Sequence, residues 1–337
     1  MKNGLFRGQT PQKAKARLFI VLALLGAALI LLICVVAVML NTKPGGGDTP
    51  SGSPGSSVPS ISAGEYSAAD GCVSVADFGA VPSDGKDDTE AFRRAAASGL
   101  GIYIPAGEYR LSGTVELNGQ DVVGEGMAVT SIRATAGEAL FRLSGNCRLT
   151  ECRLSYEAGG AAGRGEKTAV RLAAGEGGGL SPSIKNVRFE GVGTAVFVES
   201  GVTNGVRLED LIVESFGYAG VVFDGAGHRG AILRGIALGP SLDGAVCGVE
   251  LQGDEGTLLE QVTLAGSRVE QGVRFDGSLG FSVKTVQFLE VRAQTLLGGD
   301  KAAGRIGSVF LRDTEGELLG FTNPRGGAIQ PEYTAVR

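Results

Sequence analysis

The sequence has almost none of the residues on which many metal sites and covalent cross-links depend. Its 337 residues include one histidine, no tryptophan and five cysteines. Zinc usually binds several His and Cys side chains, so a single imidazole leaves little for a zinc site. Four cysteines follow the N-terminal apolar run, too few and too scattered to predict a disulfide scaffold. The sequence leaves open whether they pair: Cys72, Cys147, Cys152 and Cys247.

Most of the chain carries more negative than positive charge. The net charge is −5, yet the residues before the first apolar run carry five cationic groups and no acidic group. The remainder therefore carries a net charge of −10. Such an acidic domain is a poor partner for nucleic acid, which binds basic surfaces.

One long hydrophobic run, Leu18–Leu40, contains no charged residue. At ~1.5 Å per residue, a helix of this length crosses a hydrocarbon layer of ~30 Å. The cationic residues before it predict a cytoplasmic N-terminus. A cleavable signal peptide is the alternative, but its apolar core is usually shorter and ends at a small-x-small site. We therefore expect a cytoplasmic basic tail (1–17) and an uncleaved single-pass anchor (18–40) in the cell membrane.

The residues after the anchor, 41–71, are rich in Gly, Ser and Pro and contain few apolar side chains. This composition predicts a flexible tether. The tether separates the anchor from a folded extracytoplasmic domain, which we place at residues 72–320. Residues 321–337 are expected to cap the far end of this domain or to fray.

A repeat dominates the folded region. Short segments with alternating apolar residues recur at intervals of 24 to 26 residues, bounded by Gly, Asn or Asp. An earlier turn joins them through Leu149, Cys152 and Leu154, and a second strand in each unit aligns Val170, Val196, Val221, Val249 and Val273. The main columns are Ile184, Leu208, Leu233, Leu259 and Val283; Val187, Leu211, Ile236, Val262 and Val286; and Phe189, Val213, Leu238, Leu264 and Phe288.

Strands this short cannot bury their apolar faces alone, but stacked turns of chain, each ~4.8 Å above the last, bury them together. The sequence therefore predicts an all-β fold, a right-handed parallel β-helix. Leucine-rich repeats need an asparagine ladder and a leucine spacing that are absent, and a Rossmann sheet needs more helices. A column of alternating charge should fix the register, each exposed pair contributing ~0.2–1 kcal/mol: Lys185, Glu209, Arg234, Glu260 and Lys284.

An acidic stretch, DFGAVPSDGKDDTEAF (77–92), precedes the first repeat. It reads either as a carboxylate site or as a tight turn followed by a capped helix. Asp87 can accept hydrogen bonds from the free amides of the helix, and Glu90, three residues later, can reach back. We favour the structural interpretation, in which a short helix places Phe92 inward and covers the open end of the first coil.

The stretch VSVADFGAVPSDGKDDTEAFRRAAA, followed by GIYIPAGEYRLSGTVEL, resembles the opening of the pectate lyase superfamily, in particular its rhamnogalacturonase and epimerase-like branch (the pectate lyase 3 type). The resemblance implies a secreted or surface β-helix that cleaves or binds polysaccharide. It identifies the fold rather than the chemistry. The Asn-Thr-Asp, Asp-Asp and Gly-His-Gly motifs of related hydrolases are not intact here. The nearest match holds His228, which we expect at the surface.

The candidate catalytic residues follow from the predicted stacking. Glu199, Asp224 and Asp276 end successive copies of one strand, and carboxylates about one rung apart can hold a cation or share a proton. A retaining glycosidase needs a similar spacing. Ordinary turn formation is the alternative role for these residues. A lyase would instead need Ca²⁺ and a basic residue, for which Arg274 is the candidate.

The exposed face of the same strands provides candidate substrate-binding residues, Arg171, Phe197, Glu250 and Phe310. Three longer links, Tyr156–Lys167, Gly239–Val246 and Leu289–Ile306, are expected to emerge at one corner and wall this face. The basic side chains of two of them predict a rim for an anionic glycan, with solvated loops as the alternative: Arg164, Lys167, Arg292, Lys301 and Arg305.

Two functions remain open from the sequence. One is a surface enzyme, a polysaccharide lyase or hydrolase. The other is a non-catalytic β-helix that binds glycan or serves as a surface scaffold.

Overall fold

The computed structural model describes residues 71–173, 181–201 and 203–324, and the backbone of residues 330 and 331. The predicted basic tail, the apolar run 18–40 and the tether up to residue 70 lie outside the described residues. Within the part that is described, no helix is long and apolar enough to span a membrane. The anchor therefore stays a prediction.

Two large parallel sheets build the described region. Sheet A has 13 strands and sheet B has nine. Numbered in chain order, the strands of sheet A are β1 (Cys72–Ser74), β2 (Gly101–Ile104), β3 (Gly107–Leu111), β5 (Asp121–Gly124), β6 (Thr130–Ala134), β8 (Arg148–Tyr156), β10 (Ser183–Glu190), β13 (Arg207–Val213), β16 (Ile232–Leu238), β18 (Leu258–Ala265), β20 (Leu279–Leu289), β22 (Ala303–Arg312) and β24 (Gln330–Pro331).

Sheet B consists of β4 (Val115–Asn118), β7 (Ala139–Ser144), β9 (Thr168–Leu172), β11 (Val192–Val198), β14 (Phe216–Phe223), β17 (Cys247–Gln252), β19 (Arg268–Asp276), β21 (Arg292–Asp300) and β23 (Glu315–Thr322). A small third sheet pairs β12 (Thr203–Asn204) with β15 (His228–Arg229). From β8 onward the chain alternates between sheets A and B, which confirms the parallel β-helix. Its right-handed sense stays a prediction, in line with the usual hand of parallel crossovers.

The stacking register agrees with the sequence columns. Val187 pairs with Leu211 on the next coil, and the column continues through Ile236, Val262 and Val286. All five side chains are buried in one continuous core. The core also holds buried thiols, Cys147 and Cys152, neither of which forms a disulfide. Side chains from both sheets therefore share one interior.

The outer face of sheet A carries the predicted charge ladder. Glu209 Oε1 lies 3.7 Å from Arg234 Nη1, and Arg234 Nε lies 2.8 Å from Glu260 Oε2. Lys284 Nζ continues the ladder at 3.2 Å from Glu260 Oε1, and Lys185 begins it at 4.0 Å from Glu209. Opposite charges thus alternate from coil to coil, as expected for a device that fixes the register.

A helix, α1 (Thr89–Ala97), covers the N-terminal end of the core with the buried ring of Phe92. Asp87 accepts hydrogen bonds from Thr89 and Ser112; burial opposes ionisation, but these bonds lower its pKa to about 2. Asp88 accepts from the backbone N–H groups of Val81 and Arg110. The acidic stretch therefore forms turns and a helix start.

One detail of the predicted cap was wrong. The Glu90 carboxylate does not reach back to the start of the helix. It lies 2.8 Å from Arg93 Nη1, one turn further along the helix. Asp87 accepts a hydrogen bond from one amide at the helix start, that of Thr89.

The C-terminal coils are regular, and this corrects a second expectation. Residues 289–306 were expected to form a long insertion. They contain β21 and the start of β22, joined by short corners. Strand β23 extends to Thr322, and the Phe321 ring stacks on Phe281, with ring centroids 6.2 Å apart.

Candidate functional site

One row of residues runs along sheet B, one residue per strand in register. We call it the outer row. The row aligns Arg171 with Phe197, and Glu250 with Arg274, as predicted. Phe310 does not belong to it, because this residue lies on β22 of sheet A and pairs with Gln287. The complete row is Glu116, Arg142, Arg171, Phe197, Val222, Glu250, Arg274, Gly298 and Gly320.

Two loops wall the outer row, one between β8 and β9 and one between β16 and β17. They correspond to two of the three predicted insertions. Glycines let the first loop, residues 157–167, pack directly on the coils. A Cβ atom at Gly193 would lie 2.2 Å from the Glu166 carbonyl oxygen, and one at Gly217 would lie 2.3 Å from the Gly160 carbonyl oxygen. The loop backbone is therefore held at close range.

Arg164 projects from this loop into the row. Its Nη1 atom lies 2.5 Å from Asp224 Oδ1, and its Nη2 atom lies 3.5 Å from Glu250 Oε1. The guanidinium carbon lies 5.6 Å from the centroid of the Phe197 ring. The sequence predicted a rim residue that meets a ligand. The structure shows an internal ion pair instead.

Glu250 was expected to project into solvent, but its side chain is only 1% exposed. It accepts hydrogen bonds from the Tyr218 hydroxyl at 3.1 Å and from Gln252 Nε2 at 2.6 Å. Burial, together with the Glu250 charge, raises the pKa of Tyr218 to about 12. Each carboxylate oxygen thus has a donor within the protein, as a buried charge requires.

Phe197 does not offer an open ring face. Its side chain is buried under Arg164 and Arg171, whose guanidinium carbons lie 5.6 and 5.1 Å from the ring centroid. It packs in a small apolar cluster outside the main core, with Ala219, Val222 and Cys247. A sugar can stack on this ring only if a guanidinium moves away.

The remaining arginines of the row are also paired. Arg142 donates to both oxygens of Glu199, at 3.2 and 3.0 Å. Arg171 Nη1 lies 3.5 Å from the same carboxylate, and its Nη2 donates to Glu138. Arg274 donates to Asp276. The structure therefore shows compensated charge along the row and does not support a basic rim for an anionic glycan.

Glu199, Asp224 and Asp276 occupy the predicted ladder, with Gln252 between the last two. Each carboxylate contacts a different arginine: Arg142, Arg164 and Arg274, respectively. Each of them therefore has a cationic partner within the protein. The described residues contain no group of three or more His, Cys, Asp or Glu side chains that could hold a metal ion.

His228 lies inside the protein and not at the surface, contrary to expectation. Its ring is fully buried, with Nδ1 3.0 Å from Thr203 Oγ1 and Nε2 3.2 Å from the Asp224 carbonyl oxygen. Burial lowers the pKa of His228. The imidazole therefore contacts the backbone of Asp224, whose side chain lies beside the outer row.

Two surface grooves among the described residues lie near the outer row. A groove of about 770 Å³ adjoins α1 and meets the row only at Glu116. A second groove, of about 410 Å³, lies at the corner from which both walls emerge, lined by Tyr156, Gly159 and Leu242. The centre of the row is filled by Arg164 and the side chains around it.

The comparisons with known proteins agree with this architecture. Residues 72–151 match the family described as "Rhamnogalacturonase A/epimerase, pectate lyase-like". A phage-related protein of Bacillus subtilis (strain 168), YobO, is 48% identical over 62 residues, 18% of this chain and 8% of that protein. The pre-neck appendage protein of Bacillus phage B103 is 31% identical over 98 residues, 23% of this chain and 11% of that protein. The chain matches about a tenth of these relatives.

Solved structures share the fold at low identity. The catalytic domain of Agl-KA superposes with a TM-score of 0.51 at 15% identity, over 72% of this chain and 57% of that one. The gp42 tailspike of Acinetobacter phage vb_AbaP_AS12 gives 0.51 at 12% identity, over 72% and 46%. The described region therefore shares the fold of these β-helices, and its first coils match the pectate lyase-like family that the opening motif indicated.

Proposed function

We propose that this chain is a membrane-anchored, extracytoplasmic β-helix that binds polysaccharide along the outer row of sheet B. The observation that carries the proposal is the row itself. Mutually paired Arg and carboxylate side chains, most of them partly exposed, lie along several coils beside two loops. The side chains of Arg142, Asp224 and Arg274 are 42%, 30% and 35% exposed, so their free edges reach solvent.

An extended row of polar groups suits an extended ligand. Successive coils lie ~4.8 Å apart, so one sugar chain can meet donors and acceptors from several coils. Paired guanidinium and carboxylate groups offer both hydrogen-bond donors and acceptors to hydroxyls without a large net charge. The tailspike among the structural neighbours and the resemblance of the opening motif support a glycan as partner.

Polysaccharide cleavage is the second candidate function, as a hydrolase or a lyase. The ladder of Glu199, Asp224 and Asp276 favours it, because two carboxylates on adjacent coils can serve as acid and nucleophile. Binding is preferred, because each of these carboxylates already accepts from an arginine. In the lyase variant the reaction would also depend on Ca²⁺, for which the row offers no fitting ligand set.

The test incubates the full chain, in detergent, with a panel of acidic, neutral and amino polysaccharides, with and without calcium. We expect retention without cleavage. New reducing ends alone would indicate a hydrolase, and reducing ends with unsaturated-uronate absorbance would indicate a lyase. The anchor is checked separately, because removal of residues 1–40 should move the chain from the membrane fraction to the soluble one.

Paired variants locate the binding surface. Arg171→Ala with Arg274→Ala removes two row arginines and is expected to weaken glycan retention by at least about tenfold, as loss of two charge-assisted hydrogen bonds implies. Arg234→Ala with Lys284→Ala removes the same charge from sheet A and should leave retention unchanged. Equal retention by both double variants would exclude the outer row as the site.

A further inference from the structure

Arg164 lies on a loop, whereas the other arginines at the outer row lie on strands. Arg142, Arg171 and Arg274 belong to strands, where the coil backbone fixes them. Arg164 comes from the loop 157–167, and its side chain remains 33% exposed. Its guanidinium can therefore leave the row through a change of side-chain torsions, without a change in any coil.

The position that this guanidinium occupies has the chemistry of a cation-binding site. The carboxylates of Asp224 and Glu250 contact it from one side, and the Phe197 ring lies within cation–π range of it. Glu250 is almost fully buried, and Arg164 is its one ion-pair partner within 4 Å among the described residues, while Arg274 on the next coil acts on it from farther away. A buried carboxylate that loses its cation is costly, so a departing Arg164 would have to be replaced by another positive group.

We propose that this position is a subsite for the protonated amino group of an amino-sugar polysaccharide, and that Arg164 is its internal, displaceable occupant. The inference rests on the proposed polysaccharide binding and specifies the class of glycan. Displacement of the guanidinium would also expose the Phe197 ring, which then offers an apolar face to a sugar ring. Arg164 thereby acts as a gate that only a cationic ligand replaces.

The overall charge of the row points to the same ligand class. Six carboxylates surround it and only four arginines balance them, so removal of Arg164 leaves twice as many acidic as basic groups. An anionic glycan would meet net repulsion there, whereas an amine would restore the balance. The acidic groups are Glu116, Glu138, Glu199, Asp224, Glu250 and Asp276, and the basic groups are Arg142, Arg164, Arg171 and Arg274.

Calorimetric titration of the full chain in detergent tests the inference, with a β-1,4-linked glucosamine hexamer and its fully N-acetylated counterpart as probes. The two share a backbone and differ in charge. We expect the amine form to bind more tightly. If the gate is closed about nine-tenths of the time, Arg164→Ala should tighten amine binding about tenfold. Asp224→Asn in the Arg164→Ala background should then weaken it.

A second variant opens the gate without a change in charge. Gly217→Ala places a Cβ atom 2.3 Å from the Gly160 carbonyl oxygen and should lift the loop. It is expected to tighten amine binding, as Arg164→Ala does. Arg234→Ala removes a cation from sheet A instead and should leave the affinity unchanged, which controls for a general charge effect.

The possible outcomes are distinct. Equal binding of the two hexamers, or no gain in affinity from Arg164→Ala and Gly217→Ala, overturns the amine subsite while polysaccharide binding stands. Binding of neither hexamer, nor of any glycan in the panel, overturns both. Tighter binding of a hexa-arginine peptide than of the glucosamine hexamer would indicate a basic polypeptide as the ligand and also overturn the inference.

Discussion

The outer faces of the two sheets carry similar charged side chains in different arrangements. On sheet A, charged residues alternate in sign along one column, and each contacts its neighbours on adjacent coils. On sheet B, the Glu250 carboxylate is buried, and the partner of Asp224 comes from an insertion 60 residues away along the chain. The first face is periodic and the second is not.

The charge ladder on sheet A belongs to the fold, whereas the contacts on sheet B belong to the candidate functional site. The charge ladder on sheet A repeats once per coil, and contacts between neighbouring coils are enough to explain it. On sheet B, the contacts of Asp224 and Glu250 with Arg164 depend on the loop 157–167, which the β-helix does not need for its own stacking. Insertions on one corner of a solenoid commonly build its binding face. Arg164, Glu250 and the residues around them are therefore the part of the molecule that the fold alone does not explain.

The largest expected effect tests whether the two faces share one interior. Phe189 lies on the inner side of sheet A and Phe223 on that of sheet B, and both are fully buried. Replacement of either by alanine should cost about 3–5 kcal/mol of stability, because each change leaves a cavity in close packing. Thermal and denaturant unfolding of both variants measures this cost.

Similar losses for the two phenylalanine variants would show that the faces differ only on the outside. A large loss for one and a small loss for the other would instead show that the interior relaxes around one cavity, so that the two sheets are not packed equally tightly.

An intermediate effect contrasts two glutamates. Glu250→Gln leaves buried donors around a neutral group, and we expect a loss of about 1–3 kcal/mol. Glu260→Gln alters the solvent-facing ladder, where ion pairs contribute little, and should leave the melting temperature nearly unchanged. Equal effects would contradict the assignment of Glu250 as a buried, internally paired carboxylate.

The smallest effect concerns pH. The folded state holds His228 with a lowered pKa, so the unfolded chain binds more protons as the pH falls through the unfolded value of about 6.5. Stability should therefore fall between about pH 7 and pH 5. The pKa of Glu260 on sheet A is lowered by its bonds to Arg234 and Lys284, so its contribution persists until the pH approaches about 4.3.

Because the chain has a single histidine, His228→Gln isolates this effect. The variant should lower stability at neutral pH and flatten the slope between about pH 7 and pH 5. Melting curves recorded across this interval measure the slope. An unchanged slope in the variant would assign the pH dependence to another group.

Much of the fold was predictable because burial in a β-helix follows a local period. Val187 and Leu211 show the same alternation in the sequence, and their distance along the chain equals one coil. The charge column followed from the same alignment. The segment 289–306 was misread because β21 contains Leu296, Leu297 and two glycines where other coils have a Val-x-Phe or Val-x-Leu pattern. Phe310 was assigned to the wrong sheet for the same reason.

The contacts of the candidate site were less predictable because they depend on a loop that folds back. Nothing near Arg164 in the sequence indicates Asp224 as its partner. The burial of Glu250 follows from the position of the same loop. His228 lies between glycines that are typical of a surface turn, yet the turn pairs with Thr203 and encloses the ring. Gly217 is a local signal that could have indicated close backbone packing.

The alternation of charge on sheet A has a consequence for how such a protein changes in length. Excision of the coil that carries Glu209 would bring Lys185 beside Arg234, two cations in direct register. Excision of two coils would restore a cation next to an anion. Growth and shortening of this solenoid during evolution should therefore proceed most easily by even numbers of turns.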